Sequence, residues 1–163
     1  MAQRRGGRWR SILMKQVVVR VALPNEQKEL EALQWRASVG NPGDREALLA
    51  NPEVISVSKE QISNGFVFVA HIEGAIVGFA GIASREDGNI ELDALFVEPD
   101  AWRRGIGRSL VNYCVQVAKG KGSSAIHVMG NPHAEGFYRS CGFQAFGTTQ
   151  TRFGTALLMY KPL

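Results

Sequence analysis

Residues 90–110 read IELDALFVEPDAWRRGIGRSL and join a predicted strand to a predicted amphipathic helix. A helix N-terminus carries unpaired backbone N–H groups and a partial positive charge, which makes it a ready anion site. Glycines leave room there for a close approach of the backbone, and arginines add charge. The stretch supplies both, in Gly105, Gly107, Arg103, Arg104 and Arg108. It therefore predicts a pyrophosphate site at the start of a helix.

Two better-known phosphate loops do not fit this stretch. A Walker A loop requires Gly-x-x-x-x-Gly-Lys-Ser/Thr, and the sequence contains no such run. A dinucleotide fingerprint requires a third glycine three residues after Gly107, but Leu110 stands there and no early βαβ unit surrounds it. A nucleotide-hydrolase or dinucleotide site is thereby disfavoured.

A second block, NPHAEGFYRSCGF at residues 131–143, follows a predicted strand at Ala125 to Met129. The two blocks resemble the motifs of the GCN5-related N-acetyltransferase (GNAT) family. In that family Arg/Gln-x-x-Gly-x-Gly/Ala is motif A and Asn-x-x-Ala-x-x-Phe-Tyr-x-x-x-Gly-Phe is motif B. The resemblance covers most of Gly65 to Leu163. It departs from motif A at Trp102, where the family has Arg or Gln.

The resemblance implies that acetyl-CoA binds as a cosubstrate, without a metal. Its pyrophosphate would lie on motif A, and its pantetheine arm would run as a pseudo-strand between the strands that end at Val97 and Met129. Asn131 would touch that arm or the strand opening, and the Tyr138 hydroxyl would face the CoA sulfur. The implied binding residues are Leu95, Phe96, Val97, Arg103, Arg104, Gly105, Ile106, Gly107, Arg108, Ser109, Asn131, Phe137 and Tyr138.

Acetyl transfer to an amine requires a proton acceptor, because free amines are protonated near neutral pH. Glu91 and Asp93 are candidates, since residues two apart lie on one face of a strand. The alternative is that both lie on a solvated face. His133 is a third candidate, although a histidine after a proline is more often a loop residue.

The other catalytic needs are an N–H group for the tetrahedral oxyanion and an acid for the departing thiolate. A backbone N–H near Phe96 or Val97 can supply the first. Tyr138 is the candidate acid, and its alternative role is that of a core aromatic, which its neighbour Phe137 suits better.

The length of 163 residues and the 45% share of hydrophobic residues predict one soluble domain at residues 16–163, and the presence of only two cysteines predicts a reducing, cytoplasmic location. Residues 1–15 carry five cations and no acid, and removing them from a formal charge of +4 leaves −1. We expect this tail to be disordered, with Met14 as a possible alternative start.

A near-neutral domain disfavours nucleic-acid binding, and no apolar run approaches the ~20 residues that span a bilayer. Cys114 and Cys141 are expected to be free thiols.

Hydrophobic periodicity predicts the order β-α-α-β-β-β-α-β-α-β-β, with the first helix from Pro24 to about Trp35 and the third and fourth strands at Ala75 to Ser84 and Ile90 to Val97. The resemblance to the GNAT family implies the same order, in an α/β fold whose mixed and mostly antiparallel sheet is flanked by helices. Asp44 is expected to cap the second helix, at Arg45 to Ala50, and residues 54–63 are ambiguous. Trp35 and residues 40–64 are expected to shape the pocket of the acceptor.

The predicted activity is N-acetylation of a primary amine by direct transfer in a ternary complex. The acceptor can be a small molecule or a peptide, and a homodimer is possible. The alternative is a non-catalytic sensor of acyl-CoA, which would keep the binding site and lack a competent acid and base.

Overall fold

The computed structural model describes residues 16–41 and 43–163, so the predicted tail at residues 1–15 lies outside the described residues. The described part forms seven strands and five α-helices. In chain order they are β1 Val18–Val21, α1 Gln27–Gly40, α2 Arg45–Ala50, α3 Lys59–Ser63, β2 Val67–Ile72, β3 Ala75–Ser84, β4 Ile90–Val97, α4 Ile106–Gly120, β5 Ala125–Gly130, α5 Glu135–Ser140, β6 Gln144–Thr151 and β7 Gly154–Pro162.

The predicted order is confirmed, with one addition and one extension. The ambiguous segment contains the short helix α3, which Ser58 caps because its Oγ accepts a hydrogen bond from the Gln61 N–H at 3.1 Å. Helix α1 was expected to end near Trp35 but continues to Gly40. Ala37 and Ser38 are buried in this extra turn, so packing onto the sheet prolongs the helix.

The seven strands form one sheet in the order β1-β2-β3-β4-β5-β7-β6, and only β4 and β5 are parallel. Side chains alternate along β2, so Val67 and Val69 enter one core cluster while Phe68 and Ala70 enter the other. Helix α1 covers the first cluster and α4 covers the second. The sheet is therefore a buried middle layer between helices.

The parallel pair opens at one end. β4 and β5 pair only from Ile90 and Ile126 to Leu92 and Val128. Beyond that point β4 continues to Val97 beside β3, whereas β5 continues to Gly130 beside β7. The two strands thus part and leave a gap in the sheet that no strand of the described chain fills.

Helix α4 reaches this gap because its first turn packs closely on β3. A Cβ atom on Gly78 would lie 3.0 Å from the Phe96 carbonyl oxygen and 3.2 Å from Cδ1 of Leu110. Only glycine permits that approach without displacement. The start of α4 is thereby held at the open end of β4.

Glu26 fixes the connection from β1 to α1. Arg20 donates hydrogen bonds to both oxygens of its carboxylate, at 2.9 and 2.8 Å, and the Leu23 N–H donates to one of them at 2.7 Å. The Arg20 hydrogen bonds, and next the Leu23 N–H, lower the pKa of Glu26 below its ordinary value despite partial burial.

Glu26→Gln is expected to lower the free energy of unfolding at pH 7 by about 1–2 kcal/mol, discounted because Arg20 is partly solvated. A carboxyl whose pKa is lowered by folding stabilises the protein above its unfolded pKa of about 4.3 and loses that contribution as pH falls through the folded value. The deficit should therefore shrink on acidification. Urea denaturation at pH 7 and at about pH 3 measures it.

The control for this prediction is Glu86→Gln, which removes a carboxylate from the exposed turn after β3. Equal losses of stability in the two variants at pH 7 would show that Glu26 has no special role.

Candidate active site

A cavity of about 760 Å³ lies where β4 and β5 part, between the N-terminus of α4 and helix α5. Most of the residues predicted to bind the cosubstrate line it. They are Leu95, Phe96, Val97, Arg103, Gly105, Ile106, Gly107, Arg108, Phe137 and Tyr138. We call this space the strand-gap cavity.

Three predicted binding residues do not line the strand-gap cavity. Ser109 lies within the first turn of α4, where its N–H donates to the Gly105 carbonyl at 3.0 Å. Arg104 is exposed in the turn before the helix. Asn131 lines a second cavity instead. The predicted set therefore divides between two spaces and the surface.

The N-terminus of α4 is open to the cavity. Gly105 occupies the N-cap position with φ of +79°, and Arg103 also has a positive φ, of +63°. No side chain of the described chain caps α4, and a Cβ atom on Gly105 would meet nothing within 4 Å. The first N–H groups of a helix have no partner inside it. They remain available here to an anion from outside the helix.

Gly107 is explained by packing rather than by space for an anion. A Cβ atom there would lie 3.1 Å from Cζ of Phe137, so the missing side chain lets α4 and α5 approach each other. Arg108 reinforces the contact, because its guanidinium donates to the carbonyl and the hydroxyl oxygen of Ser140, both at 3.0 Å. The two motifs thus hold each other in place.

Trp102 is a site residue that motif reasoning missed. It occupies the position of the motif's leading Arg or Gln and lines the strand-gap cavity. Its indole N–H donates a hydrogen bond of 2.9 Å to the carbonyl oxygen of Val97. The tryptophan therefore closes the turn between β4 and α4, and the departure from the motif was the signal that marked it.

Tyr138 has its ring in the core and lines the strand-gap cavity, with 8% of its surface exposed. The ring packs edge-on against Phe137 and Phe143, with centroids 5.2 and 5.5 Å away. Burial raises the pKa of Tyr138 to about 12. Its phenol therefore keeps its proton over a wider pH range than an unperturbed tyrosine, and it is also a weaker acid than one.

A second cavity of about 470 Å³ adjoins the first, and Asp44 and His133 line both. Its walls are the start of α2, the end of β5 and the turn between β6 and β7. Gly43, Asp44 and Ala47 belong to the early segment that was expected to shape an acceptor pocket. Trp35 is not among the described residues that line either cavity. We call this space the turn cavity.

Asp44 corrects the expected helix cap. It occupies the N-cap position of α2, but its side chain makes no capping hydrogen bond there. Its two carboxylate oxygens instead accept from the Asn131 amide at 2.7 Å and the Asn41 amide at 3.0 Å. Asn131 also accepts from the backbone N–H of His133 at 2.9 Å. The asparagine of motif B thus joins the two cavity walls.

The three candidate proton acceptors are far from equivalent. Glu91 lies in the segment of β4 that pairs with β5, and Asp93 directly follows that segment. Neither carboxylate is among the described residues that line the cavities. Glu91 lies 3.7 Å from the Arg85 guanidinium, and Asp93 accepts from the Gln61 amide at 3.1 Å. His133 is exposed and lines both cavities.

None of the helices in residues 16–41 and 43–163 is long and apolar enough to cross a membrane. No group of three or more His, Cys, Asp or Glu side chains among these residues could hold a metal ion. Cys114 and Cys141 are free and buried, and burial raises the pKa of Cys114 to about 12. A homodimer and a cytoplasmic location stay predictions.

Comparison with known proteins adds a family to this geometry. Residues 28–143 match the sequence profile of the Acetyltransferase (GNAT) family. An uncharacterized N-acetyltransferase of Methanocaldococcus jannaschii is 33% identical over 90 residues, which cover 50% of this chain. The peptidyl-lysine N-acetyltransferase YjaB of Salmonella typhimurium is 36% identical over 59 residues, 36% of this chain. Each match spans only 39% of the relative's own length.

The fold also matches solved structures. The crystal structure of the PaiA N-acetyltransferase of Thermoplasma acidophilum in complex with coenzyme A superposes with a TM-score of 0.70 at 18% identity. The alignment covers 91% of this chain and 99% of that one. At this identity the likeness concerns the fold.

Proposed function

The chain belongs to the GNAT family of acetyltransferases, and from that premise we propose that it transfers acetyl from acetyl-CoA to a primary amine in a ternary complex. One observation carries the proposal. The β4–β5 ladder stops at Leu92 and Val128, and the part of β4 beyond it lines the same cavity as the uncapped N-terminus of α4. An opening in the sheet and unpaired helix amides therefore adjoin one cavity.

Acetyl-CoA suits this pair of features. The first amides of α4, with Arg103 and Arg108 lining the same cavity, offer donors and charge to a diphosphate. The amide-bearing pantetheine arm can occupy the gap, since main-chain hydrogen bonds left free at a strand edge accept an added extended chain. The thioester would then lie near Tyr138.

Direct transfer is favoured because the two cavities meet. Asp44 and His133 belong to the walls of both, so an amine in the turn cavity and a thioester in the strand-gap cavity would share a border. Holding both reactants side by side makes attack effectively unimolecular. An acyl-enzyme intermediate is unnecessary in that arrangement.

Two side chains exchange protons with the reactants in the proposed reaction. The free amine nitrogen attacks the thioester carbonyl carbon, and a backbone N–H near Phe96 or Val97 stabilises the oxyanion. The carbon–sulfur bond then breaks, and Tyr138 donates its proton to the departing thiolate. Before the attack, His133 accepts the proton that the ammonium loses to become the free amine, and it passes this proton to solvent. The second proton leaves the nitrogen to solvent after the attack, and solvent returns a proton to the Tyr138 phenolate.

His133→Gln is expected to lower kcat by about tenfold. This is less than general bases usually contribute, because His133 is exposed and water can take the proton instead. The KM for acetyl-CoA should change little. Steady-state kinetics with one amine substrate measures both quantities, and an unchanged kcat would remove His133 from the mechanism.

The function itself is tested by following CoA release from acetyl-CoA with a panel of amines. Amine-dependent release, with the acetylated product identified by mass spectrometry, is the expected result. Binding of acetyl-CoA without acceleration by any amine would favour the non-catalytic sensor over the enzyme.

A further inference from the structure

The turn cavity contains a negatively charged side chain but no lysine or arginine among the described residues that line it. Asp44 is the sole carboxylate among them. Hydroxyl groups come from Thr151 and Thr155, and Met129 and Phe153 supply apolar surface. A cation is therefore matched by the Asp44 carboxylate. Among the described lining residues, His133 is the one side chain that can carry a positive charge, and its proposed role as proton acceptor requires it to be neutral.

The Asp44 carboxylate is held in position to act. It is half-buried, and the two amides that bind it, Asn41 and Asn131, come from different walls. A carboxylate has about four acceptor positions, so two donors leave it able to accept more. Because it stands at the junction of both cavities, a group bound to it also lies beside the strand-gap cavity.

One basic side chain next to the lining residues is already paired. Arg152 lies between Thr151 and Phe153 in the β6–β7 turn. Its guanidinium donates to Asn51 at 3.0 Å and pairs with Glu53 at 3.3 Å, on the segment that follows α2. Its charge is thus directed across the rim rather than left for a substrate carboxylate.

We propose that Asp44 selects the acceptor as a cationic amine whose reacting nitrogen has no carboxylate beside it. The inference rests on the proposed function and specifies its substrate class. The ammonium is held by Asp44 before it loses its proton, and the carrier packs against the apolar wall. An α-amino acid would place its carboxylate near Asp44 with no lysine or arginine to pair it, while the proposed role of His133 as proton acceptor requires the neutral imidazole, and this costs binding.

A matched pair of probes tests the selection, namely 2-phenylethylamine and phenylalanine, which differ by one carboxylate. Wild type should acetylate the amine with a kcat/KM at least about tenfold higher. Asp44→Asn should raise the KM for the amine by about tenfold, the size of a charged hydrogen bond, and narrow the ratio between the two probes. The KM for acetyl-CoA should stay within about twofold.

Two further variants separate selection from structural damage. Asp44→Glu keeps the charge and should keep the preference for the amine even if turnover falls. Glu46→Gln removes one negative charge from the exposed side of α2 and should leave the ratio unchanged. A general loss of folding would lower the rates with both probes alike and would leave their ratio unchanged.

The possible results separate a failure of this inference from a failure of the proposed acetyltransferase function. Acetylation of phenylalanine as fast as of 2-phenylethylamine, or an unchanged ratio in Asp44→Asn, would overturn the inference and leave the acetyltransferase standing. CoA release with neither probe nor any other amine would overturn both. A blocked lysine amide identifies the source of the ammonium: faster turnover than 2-phenylethylamine supports a lysine side chain, and slower turnover supports a free amine.

Discussion

Tyr138→Phe is expected to lower the rate of acetyl transfer by about 10²–10⁴-fold while acetyl-CoA binds almost as before. The substitution removes only the hydroxyl, and the ring can keep its contacts with Phe137 and Phe143. The loss would thus reflect an interaction made mainly when the thiolate departs. Single-turnover kinetics gives the chemical step even where product release limits steady-state turnover.

The matched control is Tyr160→Phe. Tyr160 lies on β7, stacked on His127, and is not among the described residues of either cavity. It should keep the wild-type rate. A Tyr138→Phe variant that stays within about twofold of wild type would place Tyr138 in the core alone and leave thiolate departure without a side-chain acid.

The raised pKa of Tyr138 adds a pH dependence to this prediction. Burial raises this pKa to about 12, so the phenol keeps its proton as pH rises through the range where unperturbed tyrosines ionise. The single-turnover rate of wild type should therefore show no decline from loss of this proton up to about pH 10. An alkaline decline below that pH that vanishes in Tyr138→Phe would show that Tyr138 loses its proton earlier than its burial implies, and a decline that persists in Tyr138→Phe would belong to another group.

Gly105→Ala should weaken CoA binding by about tenfold and leave the binding of pantetheine almost unchanged. At φ of +79° a Cβ atom is strained, and the methyl group would enter the open space in front of the α4 amides. Pantetheine lacks the diphosphate, so its affinity should not depend on this position. Calorimetry with the two ligands measures the difference.

Gly107→Ala should also weaken CoA binding, by a different route. Its methyl group would lie 3.1 Å from Phe137, so the ring or the start of α4 must move. Gly120→Ala is the control, since it changes the other end of the same helix, where a Cβ atom meets nothing within 4 Å. Equal losses for CoA and pantetheine in Gly105→Ala would show that this position does not bind the diphosphate.

Local sequence predicted the elements well where local forces decide them. β3, β4 and α2 have the bounds that were expected. Apolar residues at strand spacing and the turn residues Asp87, Gly88 and Asn89 determine these bounds, and both act over a few positions. Helix α1 was underestimated because its last turn is stabilised by burial of Ala37, which periodicity within the helix does not reveal.

The sequence predicted the residues of the candidate site less well than it predicted the strands and helices. Spacing placed Glu91 and Asp93 on one face of a strand, but it could not show how far β4 and β5 remain paired. Both carboxylates consequently lie outside the walls of the cavities. His133 was a weaker candidate from its sequence alone, and the fold brings it to the border of both spaces.

By itself, the sequence determined the order of strands and helices and the glycine that leaves the N-terminus of α4 without a side-chain cap. Both depend on residues close together in the chain, whose steric and hydrogen-bonding preferences act locally. Only the tertiary structure decided that Asp44 leaves its expected cap to bind Asn131, 87 residues away, and that Gly107 accommodates Phe137. Such contacts join walls from distant segments, so their energies depend on how the whole chain packs.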